Sequence, residues 1–320
     1  MNVLISEVGP RDGLQNISAI MPTEAKKAWI DAAFLAGVSE IEVGSFVPPR
    51  LLPQLADTAE IVSYARRIKG LTVAALVPNR MGAENAIKAG AHKITLPLSC
   101  SESHSKANLR RTHAEVLEEA RQIAALISDL PEKERPHFEG SLSTAFGCTL
   151  EGHVPEEKVV ELGIALMEAG CDEVGLADTT GYANPASVRR LIEKVWAAVG
   201  EDALTGIHLH NTRGLGLANA YAAFETGLRT FDSSLGGLGG CPFAPGASGN
   251  LVTEDLVYMF EAMGVSTGID LEKLFGVRTL VQDALKDDDF YGFTPEAGLP
   301  LNFTPAKVSG VTSRTIGANS

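Results

Sequence analysis

Two histidines one residue apart, His208 and His210, sit between apolar neighbours in Gly206-Ile207-His208-Leu209-His210-Asn211. In an extended strand alternate side chains share a face, so both imidazoles emerge together while Ile207 and Leu209 turn into the packing. Imidazole is the commonest nitrogen ligand, and a pair at a strand's mouth leaves room for carboxylate, amide and water oxygens around a divalent cation. His-x-His is a short pattern that core or surface histidines also produce, so further residues must decide. The sequence offers Arg11-Asp12 with Gln15, Glu42 with Ser45, Ser143-Thr144, Asp178-Thr179-Thr180 and Asp232-Ser233-Ser234. A single carboxylate at a strand end is often only the N-cap of the next helix; several converging on one mouth form a site. Asp12 with two imidazoles makes a mixed oxygen and nitrogen set suited to Mg²⁺ or Mn²⁺ rather than to a structural zinc. Arg11 places a permanent cation beside it, able to steady an oxyanion or enolate, or to knit the barrel by pairing with Glu42 or Asp178.

What must position these residues is legible from a repeated grammar. Four segments (36–43, 89–96, 169–176 and 226–232) each close a helix with a glycine, spend a few linker residues and start an apolar strand. Intervening strands are predicted over 3–8, 71–77, 137–144 and 204–210. Amphipathic spacing predicts helices over 23–35, 56–67, 81–88, 114–127, 156–167, 185–199, 215–224 and 253–263. Eight strands each followed by a helix, with right-handed crossovers, predict an α/β fold of the TIM (β/α)8 barrel type. An open doubly wound sheet fits less well, because the one glycine-rich run, Gly236-Gly237-Leu238-Gly239-Gly240, follows the eighth strand rather than the first. The barrel domain is expected over 1–285, with a short helical extension over 271–285 and a partly ordered tail over 286–320.

Bulk properties narrow the function classes. The 320 residues are 45% hydrophobic and 21% charged, enough for a large core. A net charge of -13 repels nucleic acid and anionic membrane, so neither is an expected partner; an anionic small molecule needs local cations or a metal. Cys100, Cys148, Cys171 and Cys241 have no Cys-x-x-Cys spacing and read as reduced thiols. No leader precedes the first strand and no apolar run reaches the roughly 18 residues of a membrane span, so a cytoplasmic location is expected. The long glycine-rich loop over 234–250 carries Cys241 and Pro242; such a loop is costly to order, which suits a lid over substrate. Cys241 within it is either a buried hydrophobe or a proton donor.

At this point the motifs are recognisable. The chain resembles the hydroxymethylglutaryl-CoA lyase family, metal-dependent barrels related to isopropylmalate and citramalate synthases. The resemblance rests on Val8-Gly9-Pro10-Arg11-Asp12-Gly13-Leu14-Gln15-Asn16, Ile41-Glu42-Val43-Gly44-Ser45-Phe46-Val47, Asp178-Thr179-Thr180-Gly181, His208-Leu209-His210 and Gly237-Leu238-Gly239-Gly240-Cys241-Pro242 through Gly246-Ala247-Ser248-Gly249-Asn250. It covers roughly residues 1 to 285. The resemblance implies that Asp12, His208, His210 and Asn250 bind Mg²⁺ or Mn²⁺. It further implies that Arg11 steadies a thioester enolate, that Glu42 and Asp178 shape the proton network with His208, and that Cys241 delivers a proton. Arg11, Gln15, Ser45, Asn108, Ser143 and Thr179 are the implied substrate contacts. The implied reaction is retro-Claisen cleavage of hydroxymethylglutaryl-CoA to acetyl-CoA and acetoacetate, in leucine degradation or ketone-body formation, with CoA entering as part of the substrate and a homodimer or higher homo-oligomer as the assembly. A lyase for another 3-hydroxy acyl-CoA such as citramalyl-CoA, and a Claisen-type acyl transferase, are the alternatives; the transferase is disfavoured because some 35 unassigned residues are too few for a regulatory domain.

Departures from the family pattern fall outside the metal set. Ile17-Ser18 replaces a usual Glu-Lys, Asn211-Thr212-Arg213 replaces Asp-Thr-Tyr, and Gly147-Cys148-Thr149 replaces Gly-Cys-Pro. They leave the accepted acyl group and the CoA contacts open.

Overall fold

Glycine at a positive φ is what ends the helices of the repeated grammar: Gly37 (115°), Gly90 (92°), Gly170 (100°) and Gly227 (130°) all lie there. A residue with a Cβ is strained in that region, so each glycine turns the chain sharply from helix to strand. The computed structural model describes residues 2–239, 249–306, 314 and 316. In it the strands are β1 (Leu4–Glu7), β2 (Glu40–Ser45), β3 (Thr72–Leu76), β4 (Lys93–Ser99), β5 (His137–Ser143), β6 (Glu173–Asp178), β7 (Gly206–Leu209) and β8 (Thr230–Ser233). They pair in chain order, all parallel, and β1 closes on β8 with Leu4 opposite Thr230 and Glu7 opposite Ser233. The fold is a TIM (β/α)8 barrel, as the alternation predicted.

The helices are α1 (Thr23–Ala36), α2 (Thr58–Ala65), α3 (Arg80–Ala89), α4 (Glu102–Asn108), α5 (His113–Ser128), α6 (Glu156–Glu168), α7 (Pro185–Val199), α8 (Gly216–Thr226), α9 (Thr253–Ala262), α10 (Leu271–Ala284) and α11 (Phe293–Ala297). Between β4 and α5 lies α4, a seven-residue helix where the apolar spacing predicts none. It is short and polar, with no apolar stripe to read, and Ser101 caps it through the His104 amide. The described part of 286–306 is pinned to the barrel: the Phe293 and Thr294 amides donate to Asp255, and the Ala306 amide to Glu261, both in α9.

The apolar core lies between strands and helices, where Ile41, Ile94, Phe138, Val174, Ile207 and Phe231 are fully buried. Inside the barrel the base is ionic instead: Lys93 Nζ lies 2.6 Å from Glu139 and 2.8 Å from Glu173. Among the described residues no helix is long and apolar enough to cross a membrane.

Gly37 shows how tightly the wall is built. An added Cβ would lie 2.1 Å from the Gly268 carbonyl oxygen, on a backbone at φ 115°. Gly37→Ala is therefore expected to lower stability by roughly 2–4 kcal/mol in urea denaturation, from strain and backbone overlap together.

Candidate metal centre and active site

The turn after β1 builds one wall of the site. The Val8 carbonyl accepts from the amides of Arg11 (3.0 Å) and Asp12 (2.7 Å), so the chain bends inward through Gly9–Gly13. Gly9 is obligatory for packing, since a Cβ there would come within 2.8 Å of the Trp29 ring. Just before the turn, the buried Glu7 carboxylate accepts from the Gly9 amide (2.8 Å), the Leu235 amide (3.0 Å) and the Thr253 hydroxyl (2.7 Å). One side chain thus ties β1 to the segments after β8.

Burial, opposed by those three donors, lifts the Glu7 carboxyl to about 7. An unfolded glutamate loses its proton near 4.5, before the folded one does, so the stability linked to Glu7 is complete below pH 4.5 and is lost as pH rises through 7. Glu7→Gln does not titrate. Its stability relative to the parent should shift in favour of the variant by about 3 kcal/mol between pH 4.5 and 8 in urea titrations; an unchanged gap would place the Glu7 carboxyl in the ordinary range.

Arg11 lies across the mouth and joins two carboxylates. Its Nε is 2.5 Å from Glu42 Oε2 and its Nη1 is 2.6 Å from Asp12 Oδ1. Burial opposes the guanidinium charge, yet Glu42 and Asp12 hold its pKa above the ordinary value. Burial would also lift Asp12, but Arg11, then His208 and His210, bring it down to about 2. Glu42 goes the other way: burial outweighs Arg11 and pushes it to about 7. Its second oxygen, Oε1, is buried without a partner among the described residues. Asp12 is thus the fixed anion of the site, and Glu42 the carboxyl poised to hold or release a proton near neutrality.

Strand β7 delivers the imidazoles as the alternation required. Ile207 and Leu209 are buried, while His208 is partly open and His210 lies just beyond the strand end. Their Nε2 atoms are 3.0 Å apart, and each is 3.9 Å from Asp12 Oδ2. Burial, then the neighbouring His208, lowers His210 to about 4; at His208 burial is overcome by Asp232 and the pKa is raised. A bridge between His210 and Asn250 brings in the fourth residue. The Asn250 amide nitrogen donates to Asp12 Oδ2 at 2.6 Å, while its Oδ1 is buried with no partner among the described residues. One ligand atom from each of Asp12, His208 and His210 lies within 4.8 Å of the others, so the group could hold a metal ion. The donor set fits a divalent cation, and the orphaned Asn250 oxygen is the atom a cation would satisfy.

The other predicted residues divide. Gln15 belongs to the cluster, its amide donating to Asp12 Oδ1 at 2.8 Å. Ser45 is buried at the end of β2, and its hydroxyl accepts from the Val47 amide at 3.4 Å. Ser143 ends β5 on the parity of Glu139, which faces the barrel interior. Thr179 takes the Thr144 amide at 2.9 Å, stitching the β5 and β6 ends together. Asp178 stands on the opposite parity from Ala177, the partner of His208, and both its oxygens accept turn amides, Tyr182 at 2.8 Å and Ala183 at 3.1 Å. Burial, against those two amides, raises it to about 6. Asn108 is exposed at the end of α4, outside the hydrogen-bonded set around Asp12. Cys241, and most of the loop assigned to a lid, lie outside the described residues. Sequence reasoning noted Asp232 as a strand-end carboxylate without giving it a role. The structure places its Oδ2 3.1 Å from His208 Nδ1, through a β7–β8 register that no local pattern reveals.

A barrel with a possible metal group at the carboxyl ends of its strands and an arginine clamped between two carboxylates has the parts of an active site. Comparison with known proteins gives the class. The family model described as HMGL-like matches residues 2–281, and the chain belongs to that family. It is 42% identical over 283 residues to the hydroxymethylglutaryl-CoA lyase YngG of Bacillus subtilis, spanning 88% of this chain and 93% of that one. It is 41% identical over 282 residues to the (R)-citramalyl-CoA lyase of Chloroflexus aurantiacus, spanning 85% and 87%. A solved HMG-CoA lyase from Acinetobacter baumannii, in complex with coenzyme A and 3-methylmalate, superposes with a TM-score of 0.87 at 40% identity, covering 95% of this chain and 97% of that one. The protein is an enzyme of the lyase type.

Proposed function

We propose that the chain cleaves hydroxymethylglutaryl-CoA to acetyl-CoA and acetoacetate, with Mg²⁺ or Mn²⁺ held by Asp12, His208, His210 and Asn250. The observation that carries this reading is the convergence of Asp12, His208 and His210 within 4.8 Å beside the Arg11 guanidinium. A tertiary alcohol does not ionise readily at neutral pH, and a divalent cation supplies the acidity by lowering the pKa of a hydroxyl it touches. The reaction then removes the hydroxyl proton, breaks the carbon-carbon bond beside it to leave a ketone, and protonates the thioester carbanion. Arg11 would face the negative charge as it spreads to the thioester oxygen. Glu42, pushed up to about 7 by burial and with one oxygen unpartnered among the described residues, is proposed to exchange protons beside Arg11, and Cys241 is the proposed donor to the carbanion. Gln15, Ser45, Ser143, Thr179 and Asn108 are proposed to contact the acyl-CoA, and Asp178, whose carboxylate also accepts the Tyr182 and Ala183 amides, to shape the proton network with Glu42.

A second reading, cleavage of citramalyl-CoA, is favoured by the 41% identical Chloroflexus relative. Both thioesters carry a free carboxylate, and they differ by one methylene. Purified protein with Mn²⁺ should release acetoacetate from hydroxymethylglutaryl-CoA. Pyruvate release from citramalyl-CoA with no acetoacetate from the first substrate would replace the leading reading by the second.

A further inference from the structure

The two imidazoles differ in what holds their far ring nitrogens. His208 Nδ1 lies 3.1 Å from Asp232 Oδ2, whereas His210 Nδ1 is buried with no partner among the described residues. The Asp232 contact is built into the sheet. Strand register sets His208 directly opposite Asp232, and alternation turns both inward, away from Leu209 and Phe231. Asp232 and His208 both line, with Lys93 and Glu139, a cavity of about 20 Å³ in the barrel interior.

An ionised carboxylate only accepts hydrogen bonds, so the imidazole proton of neutral His208 belongs on Nδ1. Its Nε2 then carries a bare lone pair, and Nε2 is the atom 3.0 Å from His210 and 3.9 Å from Asp12. We infer that Asp232 is a positioning residue that fixes both the ring plane and the tautomer of His208, making Nε2 the nitrogen available to a divalent cation. Among the described residues His210 Nδ1 has no such brace. Asp232 acts through His208 and touches no reacting atom. The inference rests on reading the Asp12 group as a metal site.

Asp232→Asn keeps the shape but offers an amide N–H to Nδ1, which moves the imidazole proton to Nε2 and blocks the donor atom. Asp232→Ser removes the brace without imposing the wrong tautomer. Calorimetric titration with Mn²⁺ should show affinity falling about 10- to 100-fold in both variants, and further in Asn than in Ser. At a pH high enough to keep His208 neutral, nitrogen-15 shifts of the metal-free parent should place its single proton on Nδ1, and those of the Asn variant on Nε2; loss of packing alone would not exchange the two. A metal-free parent protonated on Nε2, or Mn²⁺ affinities within twofold of the parent in both folded variants, would overturn the role of Asp232. A parent that takes up no Mn²⁺ would overturn the metal reading and this inference together.

Discussion

Replacing His208 with alanine should reduce thioester cleavage by roughly 10³-fold or more, since a metal's stabilisation of developing charge is worth several kcal/mol and each 1.36 kcal/mol is tenfold in rate. The same substitution should leave the barrel folded, because His208 is only partly buried and β7 is anchored through Ile207 and Leu209. Asp12→Asn should match it in rate. It keeps the side-chain volume against Gln15 and Asn250 but removes the anion that draws Arg11 and both imidazoles together. Steady-state assays with saturating Mn²⁺, read beside melting curves, check both. Substantial turnover in either folded variant would remove that residue from the metal set.

Arg11→Lys tests the other half of the site. Lysine keeps the charge but is a point donor, whereas the guanidinium reaches Glu42 through Nε and Asp12 through Nη1 at once. If Arg11 steadies charge that develops only during bond cleavage, kcat should fall about 10²- to 10³-fold with KM nearly unchanged. A rise in KM at constant kcat would show that Arg11 only binds ground-state substrate. Arg11→Met should in addition cost about 3–5 kcal/mol in urea denaturation, because it leaves Asp12 and Glu42 buried beside each other without their shared cation.

The parts of this molecule that were legible in its sequence are those governed by local rules. Glycines that must adopt positive φ recur at Gly37, Gly90, Gly170 and Gly227, so the strand and helix alternation could be counted along the chain. The facing of His208 and His210 follows from a two-residue period, and the wider motifs connected them to Asp12 and Asn250. What stayed hidden depends on register and tertiary reach. Asp232 meets His208 only because β7 and β8 pair in one particular alignment. Asp178 looked like one more mouth carboxylate, yet strand parity directs it to the Tyr182 and Ala183 amides. The two-pronged reach of Arg11 depends on Glu42 arriving from 31 residues away, and α4 carries too few apolar residues to announce itself.

The residues gathered around Asp12 come from the first and last strands of the barrel and their neighbours, for Asn250 reaches it across 238 positions and β1 meets β8 at the seam. A polypeptide emerging from the ribosome therefore cannot assemble this cluster until nearly the whole ring of staves has been synthesised and its first and last members have joined. Any ion held there would be captured late in biogenesis, and truncated products stopping short of the eighth stave would lack the closed ring that brings the cluster together.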